Sequence, residues 1–276
     1  MEAGKAEKEN QPYMPMTFCP LCSGSSGNAS YLEAGGVRLL IDAGVTGKRM
    51  TELLHEIDIQ AHTIDAILVT HEHSDHISGV GVLSRKYNIP IYADAACFEK
   101  MLPSIGEIPA RNRRVFEPDH EFYIKTVRVL PFSIPHDCAH PVGYALCCGG
   151  RKVSVMTDIG HVTGAMMDAV ADSDLLLIEA NHDVDMLKAG SYPYALKQRI
   201  LGGTGHLCNE DSGLVLAKLH ERGIKNVILG HLSNENNTPE LALVTVKTVL
   251  EEAGVADDMF VTVAERFQPT GVFNLP

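Results

Sequence analysis

The chain has 276 residues, of which 45% are hydrophobic and 21% charged, and its formal net charge is −12. That is enough apolar content for a large core, and too acidic an average for a surface that coats nucleic acid non-specifically, which needs Lys and Arg against phosphates. No apolar run is long enough to span a bilayer. Seven cysteines, with no apolar leader behind the polar start, favour a reducing, cytoplasmic setting over a disulfide framework.

Residues 1–16 mix Glu, Lys, Asn, Gln and Pro and read as a flexible tail, with residues 17–276 as one domain. Thr17 to Leu21 predicts a first strand. Cys19 and Cys22 form a lone CxxC with no partner pair and no helix start behind it, so both read as small buried residues. Ser23 to Ala29 is a run of small residues, either a plain turn or a loop whose backbone N–H groups approach an anion. Strands follow at Tyr31–Ala34 and Val37–Ile41, the second ending at Asp42. Helical spacing marks Thr46 to Gln60 and Ile77 to Tyr87. A strand at Ile89–Ala93 and a helix at Asp94–Leu102 precede the basic cluster Arg111, Arg113 and Arg114, either a solvated face or a phosphate contact. The pattern then turns strand-rich: Phe122–Thr126, Val127–Ser133, Val142–Cys148, Lys152–Thr157 and Asp174–Ala180. A helix at Glu210–Arg222, a strand at Asn226–Gly230, a helix at Pro239–Ala253 and strands near Met259–Ala264 and Gly271–Phe273 complete it. Strand–turn–strand runs mixed with strand–helix alternation predict an α+β fold of two facing sheets flanked by helices.

The densest chemistry is His71-Glu72-His73-Ser74-Asp75-His76, directly after the β-branched run Ala66 to Thr70. A strand end holds the backbone while the loop beyond curls around an ion. His71 and His73 can grip one cation, and Asp75 and His76 can reach a second. Further donors must come from other strand ends, and three residues qualify: His136, Asp158 and His231, each after an apolar strand. His140 competes with His136 on spacing.

The ordered set His71-x-His73-x-Asp75-His76, His136, Asp158 and His231 resembles the signature of the metallo-β-lactamase-fold hydrolases. The resemblance implies an αββα sandwich of two mixed sheets. It also implies two divalent cations, Zn²⁺ first and Mn²⁺ or Fe²⁺ as alternatives. His71, His73 and His136 would hold one, Asp75, His76 and His231 the other, with Asp158 bridging and a nucleophilic water between. Glu179 at a strand end and His206 before a helix are similar to the phosphodiesterase branch, in which Glu179 would orient His206 to meet the scissile phosphate or protonate the leaving oxygen.

Ser23-Gly-Ser-Ser-Gly-Asn28, Asp42-Ala-Gly44, Tyr192-Pro193, Gly205-His206-Leu207 and His231-Leu232-Ser233-x-Glu235-Asn236 are together most similar to the WalJ/YycJ family of bacterial metallo-hydrolases. One departure is Cys208, where that family's motif has Ser. The resemblance implies a 5′→3′ DNA exonuclease, with Asp75, His206 and Glu179 as the catalytic group. Ser25, Ser26, Asn28, His182, Lys197 and Arg199 then become candidate substrate contacts, and a DNA 5′ end the partner. The alternative on the same donors is a small-molecule hydrolase of a cyclic nucleotide, thioester or lactone. An iron oxidoreductase is a third reading.

Overall fold

The computed structural model describes residues 14–276. Residues 1–13 of the expected tail lie outside the described residues, and Met16 is already in a strand. Six strands of the first half build one sheet: β1 (Met16–Cys22), β2 (Ala29–Ala34), β3 (Val37–Ile41), β4 (Ala66–Leu68), β5 (Ile91–Ala93) and β6 (Arg113–Val115). The first three pair antiparallel, and β3 to β6 run parallel. Between them come α1 (Gly47–Glu56), α2 (Ser74–Ile77), α3 (Val80–Tyr87) and α4 (Ala95–Ile105).

The second sheet repeats the plan. Antiparallel β7 (Phe122–Ile124), β8 (Val127–Ser133), β9 (Val142–Cys148) and β10 (Arg151–Met156) lead into parallel β11 (Leu175–Glu179), β12 (Asn226–Gly230) and β13 (Phe260–Val263). Its helices are α5 (Gly164–Val170), α6 (Val184–Ala189), α7 (Tyr194–Ile200), α8 (Asn209–His220) and α9 (Pro239–Glu252). The last strand, β14 (Phe273–Leu275), returns to the first sheet and pairs antiparallel with β1.

Strand periodicity sets the layers, because successive side chains point to opposite faces. In β3 and β4, Leu39, Ile41 and Leu68 enter the core between the sheets, while Leu40 and Ile67 turn outwards. That outer layer is covered by α1, α3 and α4 through Met50, Leu54, Leu83 and Met101. In the second sheet Leu175, Leu177 and Ile228 face inwards. Leu176, Ile178 and Leu229 instead pack under the helical layer of Met166, Leu216, Val246 and Leu250. Strands buried on both faces need the continuous apolar runs seen here. The arrangement is the αββα sandwich, and Cys19 and Cys22 are simply buried in β1.

The structure differs from the expected elements in two places that matter for the site. Ile77 to Tyr87 is not one helix: α2 starts earlier and breaks at Gly79, where a Cβ would lie 2.5 Å from the Val45 carbonyl oxygen. Asp75 and His76 therefore ride on a single helical turn rather than a loop. The short helices α5, α6 and α7 were not expected at all, and α7 walls the cleft described below.

Candidate metal centre

The donors collect at the carboxyl ends of the strands, where sheets of this kind bind ligands. Asp42 follows β3, Asp158 follows β10, Glu179 ends β11 and His231 follows β12. Asp42, Asp158 and His231 all take left-handed backbone conformations, with φ of 60°, 60° and 54°. This region is costly for residues other than glycine, and at these corners it turns each side chain off its strand axis. Gly44 closes the corner after β3: a Cβ there would sit 1.6 Å from the Asp75 carbonyl oxygen and 2.6 Å from the Asn28 backbone nitrogen.

Four groups of donor atoms lie within 4.8 Å of one another: His71, His73 and His136; Asp75, His76 and His231; His71, His76 and Asp158; and Asp158, Glu179, His206 and His231. Asp158 belongs to two of the groups and lies central to them, 3.3 Å from His76 Nε2, 3.5 Å from His231 Nε2 and 3.7 Å from His136 Nε2. The rings are aimed by the nitrogens they turn away. His76 Nδ1 donates to Asp42 Oδ2 at 2.8 Å, His136 Nδ1 to the Gly205 carbonyl at 3.1 Å, and His231 Nδ1 to Glu179 Oε1 at 2.6 Å. Each bond fixes a tautomer and turns Nε2 towards the cluster with its lone pair available to a cation, the usual support for ligating histidines. His140 belongs elsewhere, 3.3 Å from Asp94.

The electrostatics suit cations. Burial opposes charging His76, yet the Asp158, Asp42 and Asp75 carboxylates raise its pKa to about 9. Burial, followed by the neighbouring His76 and His73, lowers that of His71. Burial alone would raise the Glu179 pKa, but His206 and His231 hold it below the ordinary carboxylate range. Among the described residues, Asp158 Oδ2, His136 Nε2 and His231 Nε2 are buried without any hydrogen-bond partner. Three orphaned, convergent atoms of this kind are what unsatisfied metal donors look like, so the residues present fit divalent cations.

Comparison with known proteins agrees. Residues 37–232 match the family model described as the Beta-lactamase superfamily domain. The chain belongs to that superfamily. Within it, the chain is 40% identical over 241 residues to the Exodeoxyribonuclease YycJ of Bacillus anthracis, an alignment covering 87% of this chain and 91% of that protein. It is 43% identical over 235 residues to the Exodeoxyribonuclease WalJ of Streptococcus pneumoniae, covering 84% and 87%. These matches put it in the YycJ/WalJ family of hydrolases. The metallo-beta-lactamase fold protein YhfI from Bacillus subtilis shares the fold, with a TM-score of 0.70, 19% identity, and coverage of 95% of this chain and 100% of that one.

Beside the donors of this superfamily member lies a cleft of roughly 300 Å³, lined by Ser25, Tyr192, Leu196, Arg199, Ile200 and Ser233 as well as by His73, Asp75, Asp158, His206 and His231. His206 Nδ1 donates to Glu179 Oε1 at 2.8 Å. The same carboxylate therefore carries His206 and His231. Of the candidate substrate contacts, only Ser25 and Arg199 reach the cleft. Ser26 is exposed beyond it. Asn28 is turned inwards, its amide 3.2 Å from His76 Nε2 and 3.3 Å from Asp75 Oδ2, so it braces the donors. His182 is buried with both ring nitrogens unpartnered, outside the cleft lining. Lys197 Nζ donates to the Lys188 and Gly190 carbonyls at 2.7 Å each.

Arg111 and Arg113 bond Asn88 and the Ile108 carbonyl near the edge strand β6, and with Arg114 they stay off the cleft. Charge in a sequence shows a cation but not its partner, which is why these assignments differ. Sequence reasoning noted Asp42 as a strand-end carboxylate without giving it its role behind His76. It gave no role to Asp137, which takes Arg199 Nη2 at 2.9 Å.

Proposed function

We propose that this protein is a two-metal phosphodiesterase that removes nucleotides from the 5′ end of DNA. The observation that carries the reading is Glu179, whose carboxylate holds both His231 of the donor cluster and His206 at the cleft wall. A site that only bound metal has no use for the second histidine. His71, His73 and His136 would hold one divalent cation and Asp75, His76 and His231 the other, with Asp158 shared between them; Zn²⁺ is the expected resident, with Mn²⁺ or Fe²⁺ also suited to these donors. When bound, such a pair makes water a stronger acid and offsets charge building on a phosphoryl group.

The protein's own part is positioning and proton transfer. With Nδ1 tied to Glu179, His206 presents Nε2 to the leaving oxygen and protonates it as the phosphorus–oxygen bond breaks. Asp75, braced by Asn28, fixes the face from which water attacks. A polynucleotide substrate is supported by the names of the relatives, exodeoxyribonucleases 40% and 43% identical over most of the chain, and the 5′ polarity by the family resemblance. All seven cysteines are unpaired, and no described helix is long and apolar enough to cross a membrane; a cytoplasmic place belongs to the same proposal.

The test is a 5′-phosphorylated, 3′-labelled DNA oligonucleotide incubated with zinc- or manganese-loaded protein of known metal content. Mononucleotides released from the 5′ end are expected. His73→Ala should lose metal and product together. His206→Ala should keep its metal and lose about 10²- to 10⁴-fold in rate. No release from DNA by protein carrying two metals moves the reading to a small-molecule ester.

A further inference from the structure

The cleft beside the donors has two unlike sides. One carries the histidines and carboxylates; the other is apolar, made by Tyr192 with Leu196 and Ile200 of α7. Little on the apolar side answers to phosphate. Arg199, the one arginine or lysine in the lining, is engaged through Nε and Nη2 by the Asp137 carboxylate. Lys197 is spent on backbone carbonyls. Those two bonds nevertheless have a use: they clamp the segment between α6 and α7. Ser191 Oγ adds a bond to Glu235 at 3.2 Å, so the backbone leading into Tyr192 is anchored.

We propose that Tyr192, beside Leu196 in the cleft lining, is a platform for the base of the terminal nucleotide, which leaves its base pair before the strand is cut. The inference rests on the exonuclease reading and adds what that reading lacks, a place for the base and a state for the DNA end. A cleft of roughly 300 Å³ is at the low end of ligand pockets. That is room for one nucleoside unit beside the donors. Every base has a π-face, so an aromatic platform holds any of them without reading sequence, as an enzyme consuming a strand end to end requires. It also draws affinity from stacking, in a chain whose net charge of −12 offers little general attraction to phosphates. Extruding a base costs least where it is already mismatched, and this makes the idea measurable.

The experiment follows release of the first nucleotide in single turnovers by metal-loaded, full-length protein. Three duplexes differ only at the 5′ terminal position: a matched G·C pair, a mismatch and an abasic residue. Wild-type protein should act about tenfold faster on the mismatch than on the matched pair. It should also act about tenfold faster on the mismatched base than on the abasic end, the share of one base–aromatic stack. Tyr192→Ala should bring the base-to-abasic ratio close to one, and Tyr192→Phe should restore it; a ratio within one protein is insensitive to how much of each preparation is active. If Tyr192→Ala keeps the wild-type ratio, or matched and mismatched ends are cut equally fast, the platform is refuted and the exonuclease reading stands. If wild-type protein releases no nucleotide from any end, that reading falls and takes the platform with it.

Discussion

At the carboxylate of Glu179 four hydrogen bonds converge: His206 and His231 on Oε1, and the backbone N–H groups of Ile159 and Leu207 on Oε2 at 2.7 and 3.1 Å. A buried carboxylate is an acceptor with about four sites, and here every site faces a donor. Glu179→Gln keeps the shape but turns one side into an NH₂ that must point at N–H groups, whichever way the amide is placed. We expect metal affinity and kcat each to fall about 10- to 100-fold, the range for losing such outer support, as read by metal titration and steady-state rates; unchanged values for both would remove Glu179 from the site. The donors themselves were legible in the sequence, because each is a ligand-type residue directly after an apolar strand. Their supports were not. A hydrogen bond from His136 to the Gly205 carbonyl, or an Arg199 neutralised by Asp137, depends on three-dimensional neighbours that spacing does not reveal.

Two local features decide whether their elements form correctly. Cys208 caps α8, with Sγ accepting from the Asp211 N–H at 3.4 Å. A serine hydroxyl is a preferred cap and a thiol a weak acceptor. Cys208→Ser should therefore stabilise the protein by about 0.5 kcal/mol and raise Tm by roughly 1–2 °C in calorimetry; a lower Tm would show that the thiol packs better than it bonds. Gly44→Ala is the opposite case. The added methyl meets backbone on two sides, and backbone yields less readily than a side chain, so a loss above about 3 kcal/mol is expected from overpacking, visible as a shifted denaturant midpoint. Long elements such as α1, α8 and α9 were readable from their periodicity. The helices α5, α6 and α7 span only six or seven residues each, too few for a helical period to separate from chance. The α7 wall of the cleft was hidden for that reason.

Across the whole molecule, donors and the carboxylates behind them meet at one rim from both sheets: Asp42, His71, His73, Asp75 and His76 from the first, and His136, Asp158, Glu179 and His231 from the second. A cation bound there joins the two halves and binds only the folded form. At a free metal concentration a thousand times the dissociation constant, binding adds about 4 kcal/mol, so stripping the metal with a chelator should lower Tm by about 10 °C for a chain of this size. A chelated protein that melts unchanged would mean the site holds no cation in solution. The two-sheet plan was readable because strand–turn–strand runs and strand–helix alternation both show in the sequence. The return of β14 to β1 was not, since three residues at the far end of the chain carry no signal of where they pair.

One hydrogen bond sets a timetable for biosynthesis. Ser23 Oγ holds the His231 backbone N–H at 2.8 Å across 208 residues of chain. Translation at ~5–20 residues per second separates the two by roughly ten to forty seconds, and for about the last three-quarters of that time the HxHxDH segment is made while the cluster still lacks its last histidine. A nascent chain therefore carries an incomplete donor cluster until His231 has been made.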